Sequence, residues 1–163
     1  MSFGQGHKSY AMIGEPEVSY GTSIARTHGL LFSSESMGIA EQDQEASDLY
    51  RVGVHTGIVP SGQIVCGGSL NFDWRFGNRA MMKLLKHLLG TLVTSQPDVT
   101  TAPTAYLHTF TPAVALPVGF SLEIYKGIHA ALYAGCGVNS MRWNFSAGRI
   151  LTCVADLIGQ AES

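Results

Sequence analysis

The side chains that could act as nucleophiles, metal ligands or proton carriers are few and scattered. Cys66, Cys136 and Cys153 stand far apart, form no Cys-x-x-Cys pair and share no ligand spacing with a histidine. Free cysteine is among the most buried residue types, so the three read as core positions. The histidines at 7, 28, 55, 87, 108 and 129 make no His-Glu-x-x-His and no close pair, so each reads as a surface residue or a satisfied core residue rather than a zinc ligand. Two close acidic pairs, Glu15/Glu17 and Glu41/Asp43, fall in segments that read as mobile, whereas acid–base catalysis needs rigidly held groups with tuned pKa values. No Gly-x-Ser-x-Gly elbow occurs. Gly4-Gln5-Gly6-His7-Lys8-Ser9 lacks both the spacing of a phosphate-binding loop and a preceding strand. Gly135-Cys136-Gly137 leads into another strand, so no helix N-terminus is available to hold a pyrophosphate. These patterns give no catalytic residue, no metal and no cofactor, and nothing in them argues for an enzyme.

The elements that would position any site are mainly β. Residues 1–27 are rich in Gly, Ser and polar residues and read as an N-terminal arm, followed by one β domain over 28–163. His28–Phe32 is a short strand candidate. Ser33–Asp48 carries Glu35, Glu41, Asp43, Glu45 and Asp48 with no Lys or Arg, and reads as a long loop or frayed helix. Ser69–Phe76 alternates strictly, placing Leu70, Phe72, Trp74 and Phe76 on one face of a half-buried strand, with a bulge or bend expected at Gly67-Gly68. Arg79–Leu89 is the one strong helix: Ala80, Met81, Leu84, Leu85, Leu88 and Leu89 form its apolar stripe, Asn78 caps its start and Gly90 ends it. Thr91–Thr104 reads as a connection. Strand candidates follow at 105–110, 119–125, 130–133, 137–145 and 150–158, with Ser146–Arg149 as a hairpin turn. The spacing predicts a β-sandwich or barrel with one flanking α-helix.

Composition narrows the function. The 163 residues, 17.4 kDa, suit one domain, and 45% hydrophobic residues suit a globular core. Only 13% are charged, against about 25% in a typical soluble protein. Interspersed charge keeps soluble proteins apart, so a surface this poor in it is expected to be covered by partners. A membrane span is not expected, because the best apolar run, Met81–Val93, is broken by Lys83, Lys86 and His87. Met1–Lys8 has no apolar signal core, so secretion is not expected either. A net charge of −2 leaves no basic footprint for binding nucleic acid. A ligand- or carbohydrate-binding β-sandwich is the alternative of a different class. It would use Trp74, Trp143, Tyr125 and Tyr133 as an aromatic platform, although Trp74 and Trp143 fall on the apolar side of their strands.

Five segments, in order along nearly the whole chain, resemble the major tail tube proteins of long-tailed, siphovirus-like bacteriophages. They are Val18-Ser19-Tyr20-Gly21-Thr22; Phe32-Ser33-Ser34-Glu35-Ser36 with the acidic loop after it; and Gly62–Leu89 with its Leu84-Leu85-Lys86-His87-Leu88-Leu89-Gly90 ending. Tyr106–Thr111 with Leu122–Tyr125 is the fourth, and Tyr133–Ser140 running to Asp156-Leu157-Ile158-Gly159 is the fifth. The resemblance implies a structural virion protein, assembled in the host cytoplasm, whose copies close into rings, expected to be hexameric, that stack into the hollow tube through which DNA is ejected. Partners would be further copies and other tail proteins (tape measure, terminator, distal tail). DNA would pass without specific binding. Related ring-formers, such as a terminator, a baseplate hub or the inner tube of an injection device, are the near alternatives.

A basic bore would hold DNA by neutralising its phosphates, so acidic and neutral groups are expected to line it. Asp73, Glu123 and Asp156, all on strand candidates, are the acidic candidates. Contacts between copies are expected from the Met1–Thr22 arm and the Ser33–Gly57 loop, with Tyr20, Gly21, Thr22, Glu35, Glu41, Asp43 and Arg51 as candidate contact residues. Loss of the arm is expected to stop polymerisation and leave the fold unchanged.

Overall fold

A computed structural model of the chain describes residues 9–41, 64–115 and 117–162. Asp43 and Arg51 lie outside the described residues, as do Glu45 and Asp48 of the acidic loop. In chain order the elements are β1 (Tyr10–Pro16), β2 (Arg26–Leu30), β3 (Ser34–Glu35), β4 (Gly38–Glu41), β5 (Ile64–Asp73), α1 (Arg79–Leu89), β6 (Gly90–Ser95), β7 (Leu107–Pro112), β8 (Phe120–Tyr125), β9 (Ala130–Asn144), β10 (Thr152–Gly159) and β11 (Ala161–Glu162). The chain is mainly β, as the alternating sequence predicts.

One antiparallel sheet runs in the order β2-β1-β8-β9-β10-β5-β3, with β4 continuing along β5 and β11 pairing with β9. Its organising member is β9, predicted as two strands and observed as one of 15 residues. The first half, Ala130–Cys136, pairs with β8, and the second, Gly137–Asn144, pairs with β10. A strand shared in this way joins two half-sheets. One apolar cluster draws on both: Ile13, Leu30, Phe120, Leu122, Ile124 and Tyr133 from the first, and Leu70, Phe72, Cys153, Ala155 and Leu157 from the second. Leu31-Phe32 carries the chain from β2 to β3, the outermost strands of the two halves. No ladder joins those edges among the described residues, so the barrel stays open.

Four further sequence expectations change. Residues 10–16, read as part of the arm, form an inner strand between β2 and β8, with Ala11 and Ile13 fully buried. The burial comes from β8, far along the chain, and no local pattern announces it. Within the expected acidic loop, Ser34–Glu35 and Gly38–Glu41 are strands on β5. Their register rests on polar contacts: Asn71 donates to Ser34 Oγ at 2.8 Å, and the Ser36 and Ser69 hydroxyls meet at 3.1 Å. A Cβ on Gly68 would come within 2.4 Å of the Ser36 carbonyl oxygen, so only glycine lets the connection between β3 and β4 lie that close. Phe76 leaves the predicted face because β5 ends at Asp73. It is exposed in the turn before α1, edge-on to Trp74 at 6.3 Å. The start of Thr91–Thr104, read as a connection, belongs to β6, which pairs with β7 as a separate hairpin.

Helix α1 starts and ends as its sequence requires: the Asn78 side chain accepts from the Ala80 amide at 2.9 Å, and Gly90 follows the last turn. The buried stripe is Ala80, Met81, Leu84 and His87, while Leu85 and Leu88 pack only partly against the core. His87 tilts onto Phe120 with ring centroids 4.6 Å apart, and its Nε2 finds no partner among the described residues. Burial first, then Lys86 and Lys83, push its pKa down to about 4.

The unfolded chain therefore takes up a proton at His87 below about pH 6.5 that the fold refuses until about pH 4, and stability falls as pH drops through that window. His87→Phe should flatten the decline, by at most about 3 kcal/mol, in denaturant melts between those values. Parallel curves for the two proteins would contradict the assignment. Truncation through Thr22 removes β1 from the middle of a half-sheet, and the cooperative melt and β-type circular dichroism should be lost. A truncated protein with an unchanged melt would restore the arm reading.

Candidate assembly and channel surface

Glu17 follows directly on β1, and its side chain is 3% exposed. One carboxylate oxygen accepts from the Gly21 amide at 2.8 Å; the other accepts from Ser121 Oγ and from the Gly135 amide, both at 2.9 Å. The Glu17 amide donates to the Gly119 carbonyl at 2.8 Å, and Ser121 Oγ accepts from the Ile24 amide at 2.9 Å. One buried acid thus ties the 17–24 turn to β8 and to the middle of β9. Gly135 sits at φ +64, and a Cβ there would lie 3.2 Å from the Tyr20 ring. The Tyr20 side chain covers this bend and stays more than half exposed. Three candidate contact residues, Tyr20, Gly21 and Thr22, are thereby brought together on a rigid turn.

Sequence spacing groups Glu17 with Glu15 as a mobile acidic pair, and the structure corrects that reading. Glu15 contacts Lys83 of α1 and His28 of β2, the latter at 2.9 Å. Lys83 first and His28 second hold its carboxyl down at about 2. In the sequence Glu17 is set apart from Glu15 only by its place after Pro16 and just before Tyr20-Gly21. It carries no mark of its partners on β8 and β9.

Glu35 meets Lys126 at 2.6 Å and accepts from the Met37 amide at 3.0 Å, so its charge is spent within the chain. Glu41 ends β4 opposite Ile64.

Asp73 and Asp156 share the outer face of the second half-sheet. Asp73 pairs in register with Thr152, and Asp156 lies between Ser69 and Ser140. Asn71, Ser140, Arg142 and Thr152 make this face largely polar, with Val154 and the exposed Ile158 as its apolar members. Ser140 donates to Asp156 at 2.6 Å and Arg142 reaches it at 3.2 Å; together, Ser140 first, they hold its carboxyl below the usual range. Glu123 lies on β8 in the other half, paired to Arg26 at 2.8 Å. The structure therefore brings two of the three acidic candidates onto one face. Glu123 and Asp156 each carry an arginine partner, which leaves a polar surface of low net charge.

The four residues of the aromatic platform do not converge on one open face. Trp74 is buried edge-on to Trp143 at 5.8 Å, Tyr133 is buried in the core, and Tyr125 stacks on Tyr10 at 5.2 Å. A groove of about 730 Å3 runs beneath the Leu31-Phe32 crossing, lined by Tyr10, Met12, Leu31, Asp73, Arg75 and Met81 among others. The three cysteines are buried, and burial raises the thiol pKa of Cys136 strongly and that of Cys153 to about 11. Among the described residues no three His, Cys, Asp or Glu side chains converge on a metal position, and no helix is long and apolar enough to cross a membrane.

The fold is an open antiparallel barrel with one helix, a fixed N-terminal turn and few charged residues. The chain matches the family model described as "Phage tail tube protein" over residues 6–163, and it belongs to that family. It is a structural protein of the phage tail. Its fold is similar to that of the SPP1 tail tube, with a TM-score of 0.55 at 8% identity over 98% of this chain and 77% of that one. A chain in the tail of an empty gene transfer agent particle, refined with C6 symmetry, gives a TM-score of 0.50 at 7% identity over 82% of this chain and 81% of that one. A chain of the sheath-tube complex of an extracellular contractile injection system gives 0.54 at 11% identity over 98% and 89%. No protein of curated function matches the chain in sequence.

Because three donors converge on one buried carboxylate, Glu17→Ala should cost about 3 kcal/mol in a denaturant melt. Glu17→Gln, which keeps one acceptor oxygen, should cost less. A change below about 0.5 kcal/mol for the alanine variant would contradict the role given to Glu17.

Proposed function

We propose that copies of this chain close into rings of six that stack into the tube of the phage tail, and that DNA passes through its bore without specific binding. The observation that carries this reading is the surface. Few side chains are charged, and Val18, Leu31, Phe76 and Phe145 stand 90%, 70%, 83% and 79% exposed on a lone copy. Scattered apolar residues are ordinary, but with so little charge around them they favour association. Family membership supplies the kind of assembly, and the C6 symmetry of the gene transfer agent tail supports six subunits. A head-to-tail contact that closes gives a ring, and ring upon ring gives the tube. Tape measure, terminator and distal tail proteins are the expected partners at its inside and ends.

The polar outer face of β5, β9 and β10, with Asp73 and Asp156, is the part of this chain proposed to line the bore, and Glu123 the third acidic position facing it. A surface without excess cations binds no phosphate and releases no counterions, so it does not slow the duplex. The Tyr20-Gly21-Thr22 turn is proposed to reach a neighbouring copy, together with Glu35, Glu41, Asp43 and Arg51.

Light scattering of the purified chain should give masses many times 17.4 kDa, with rings or tubes in micrographs of the same sample. A strict monomer at every concentration would contradict the reading. Asp73→Lys, Glu123→Lys and Asp156→Lys in phage should leave tails intact and lower DNA delivery, and normal infectivity of all three would rule out the acidic bore.

A further inference from the structure

The two ends of α1 carry surfaces of complementary character. At its N-terminal end the turn before the helix exposes Phe76, and the tip of the β9–β10 hairpin exposes Phe145 and Ile150. The two are joined there: the Trp74 amide donates to the Leu151 carbonyl at 2.8 Å, and Trp74 touches both Phe76 and Trp143. Arg75, Arg79 and Arg149 are exposed around this aromatic end, and none makes an ion pair among the described residues.

At the C-terminal end, one helix length or about 16 Å away, Gly90 leads straight into the β6–β7 hairpin. Among the described residues that hairpin pairs with no strand of the main sheet. A lone two-stranded ribbon is marginal in water, and this one exposes Val93, Val99, Tyr106 and Leu107. Between Gly90 and Gly119 its only Asp, Glu, Lys or Arg is Asp98. The Asp98 carboxylate accepts from the Thr100 and Thr101 amides at 3.0 and 2.8 Å; these bonds, Thr101 first, hold its pKa below the usual range and keep it ionised.

We infer that the β6–β7 hairpin of one copy seats on the Phe76–Phe145–Ile150 end of a second copy in the next ring, with Asp98 placed among Arg75, Arg79 and Arg149. The occupant is a second copy because the two surfaces are unlike, complementary in charge and at opposite ends of one rigid helix, which is the arrangement a head-to-tail contact requires. The inference rests on the tube reading and deepens it by naming the stacking surfaces. These surfaces lie at strand ends and leave the Asp73–Asp156 face free for the bore.

The full chain tests this by cross-linking. Val99→Cys and Phe145→Cys proteins are mixed and treated with a short bismaleimide; the native cysteines are buried and stay silent. A 99–145 cross-link between copies is expected from the mixture and from neither variant alone. Adding Asp98→Asn, which keeps the acceptor for Thr100 and Thr101 but removes the charge, should reduce the yield, and raised salt should reduce the wild-type yield in the same way. Rings or tubes that form without the cross-link overturn the docking and leave the tube reading standing. A chain that stays at 17.4 kDa without the cross-link overturns both. A yield indifferent to Asp98→Asn and to salt overturns the part given to Asp98.

Discussion

A single buried carboxylate ties the N-terminal turn to the first half-sheet, beside the point where β9 passes to the second. Glu17 takes donors from its own turn, from β8 and from the point on β9 where the strand passes from one half-sheet to the other. Burying an acid is costly unless its oxygens are fully occupied, so these contacts form together or fail together. Their consequence is geometric. Gly135 is fixed in its bend, Tyr20 covers it, and the exposed 18–22 turn is presented in one conformation instead of a loose arm. The remaining ion pairs extend the same fixing outward: Glu15 ties β1 to β2 and α1, and Arg26 ties β2 to β8.

That economy of charge shapes the surface. Glu15, Glu35, Glu123 and Asp156 are engaged by cations of the same chain and Glu17 is buried, so much of the acidic charge among the described residues is taken up within the copy. The half-sheet face carrying Asp73 and Asp156 is largely polar, while most exposed apolar side chains lie in turns, at strand ends and on the β6–β7 hairpin. A subunit of a tube needs this division, since one surface must meet solvent and DNA while others must meet copies of itself.

Much of the fold is legible in the sequence wherever a local period exists. Helix α1 with its Asn78 cap and the strands β8 and β10 stand where the pattern places them, although α1 buries His87 and only partly buries Leu85 and Leu88. The features that escape are decided at a distance. Residues 10–16 are a strand only because β8 receives them. The short strands β3 and β4 exist only because β5 offers an edge. His87 is core although its type suggests otherwise, since Phe120 closes over it. The acids expected in the bore are legible as strand residues, but their arginine partners, Arg26 and Arg142, lie on other strands and leave no trace in spacing. Glu17, the most constrained acid, resembles one of a loose pair because all its partners but one are remote.

The central claim is that this fold is one wall of a channel, with its polar face inward and its strand ends bound to further copies. A reconstruction of the assembled tube from electron micrographs tests it most directly. The expected result is a hollow tube with Asn71, Asp73, Ser140 and Asp156 lining the bore, and the Phe76–Phe145 end covered by the next ring. A tube with that polar face buried between subunits and the aromatic end open to the bore would contradict it.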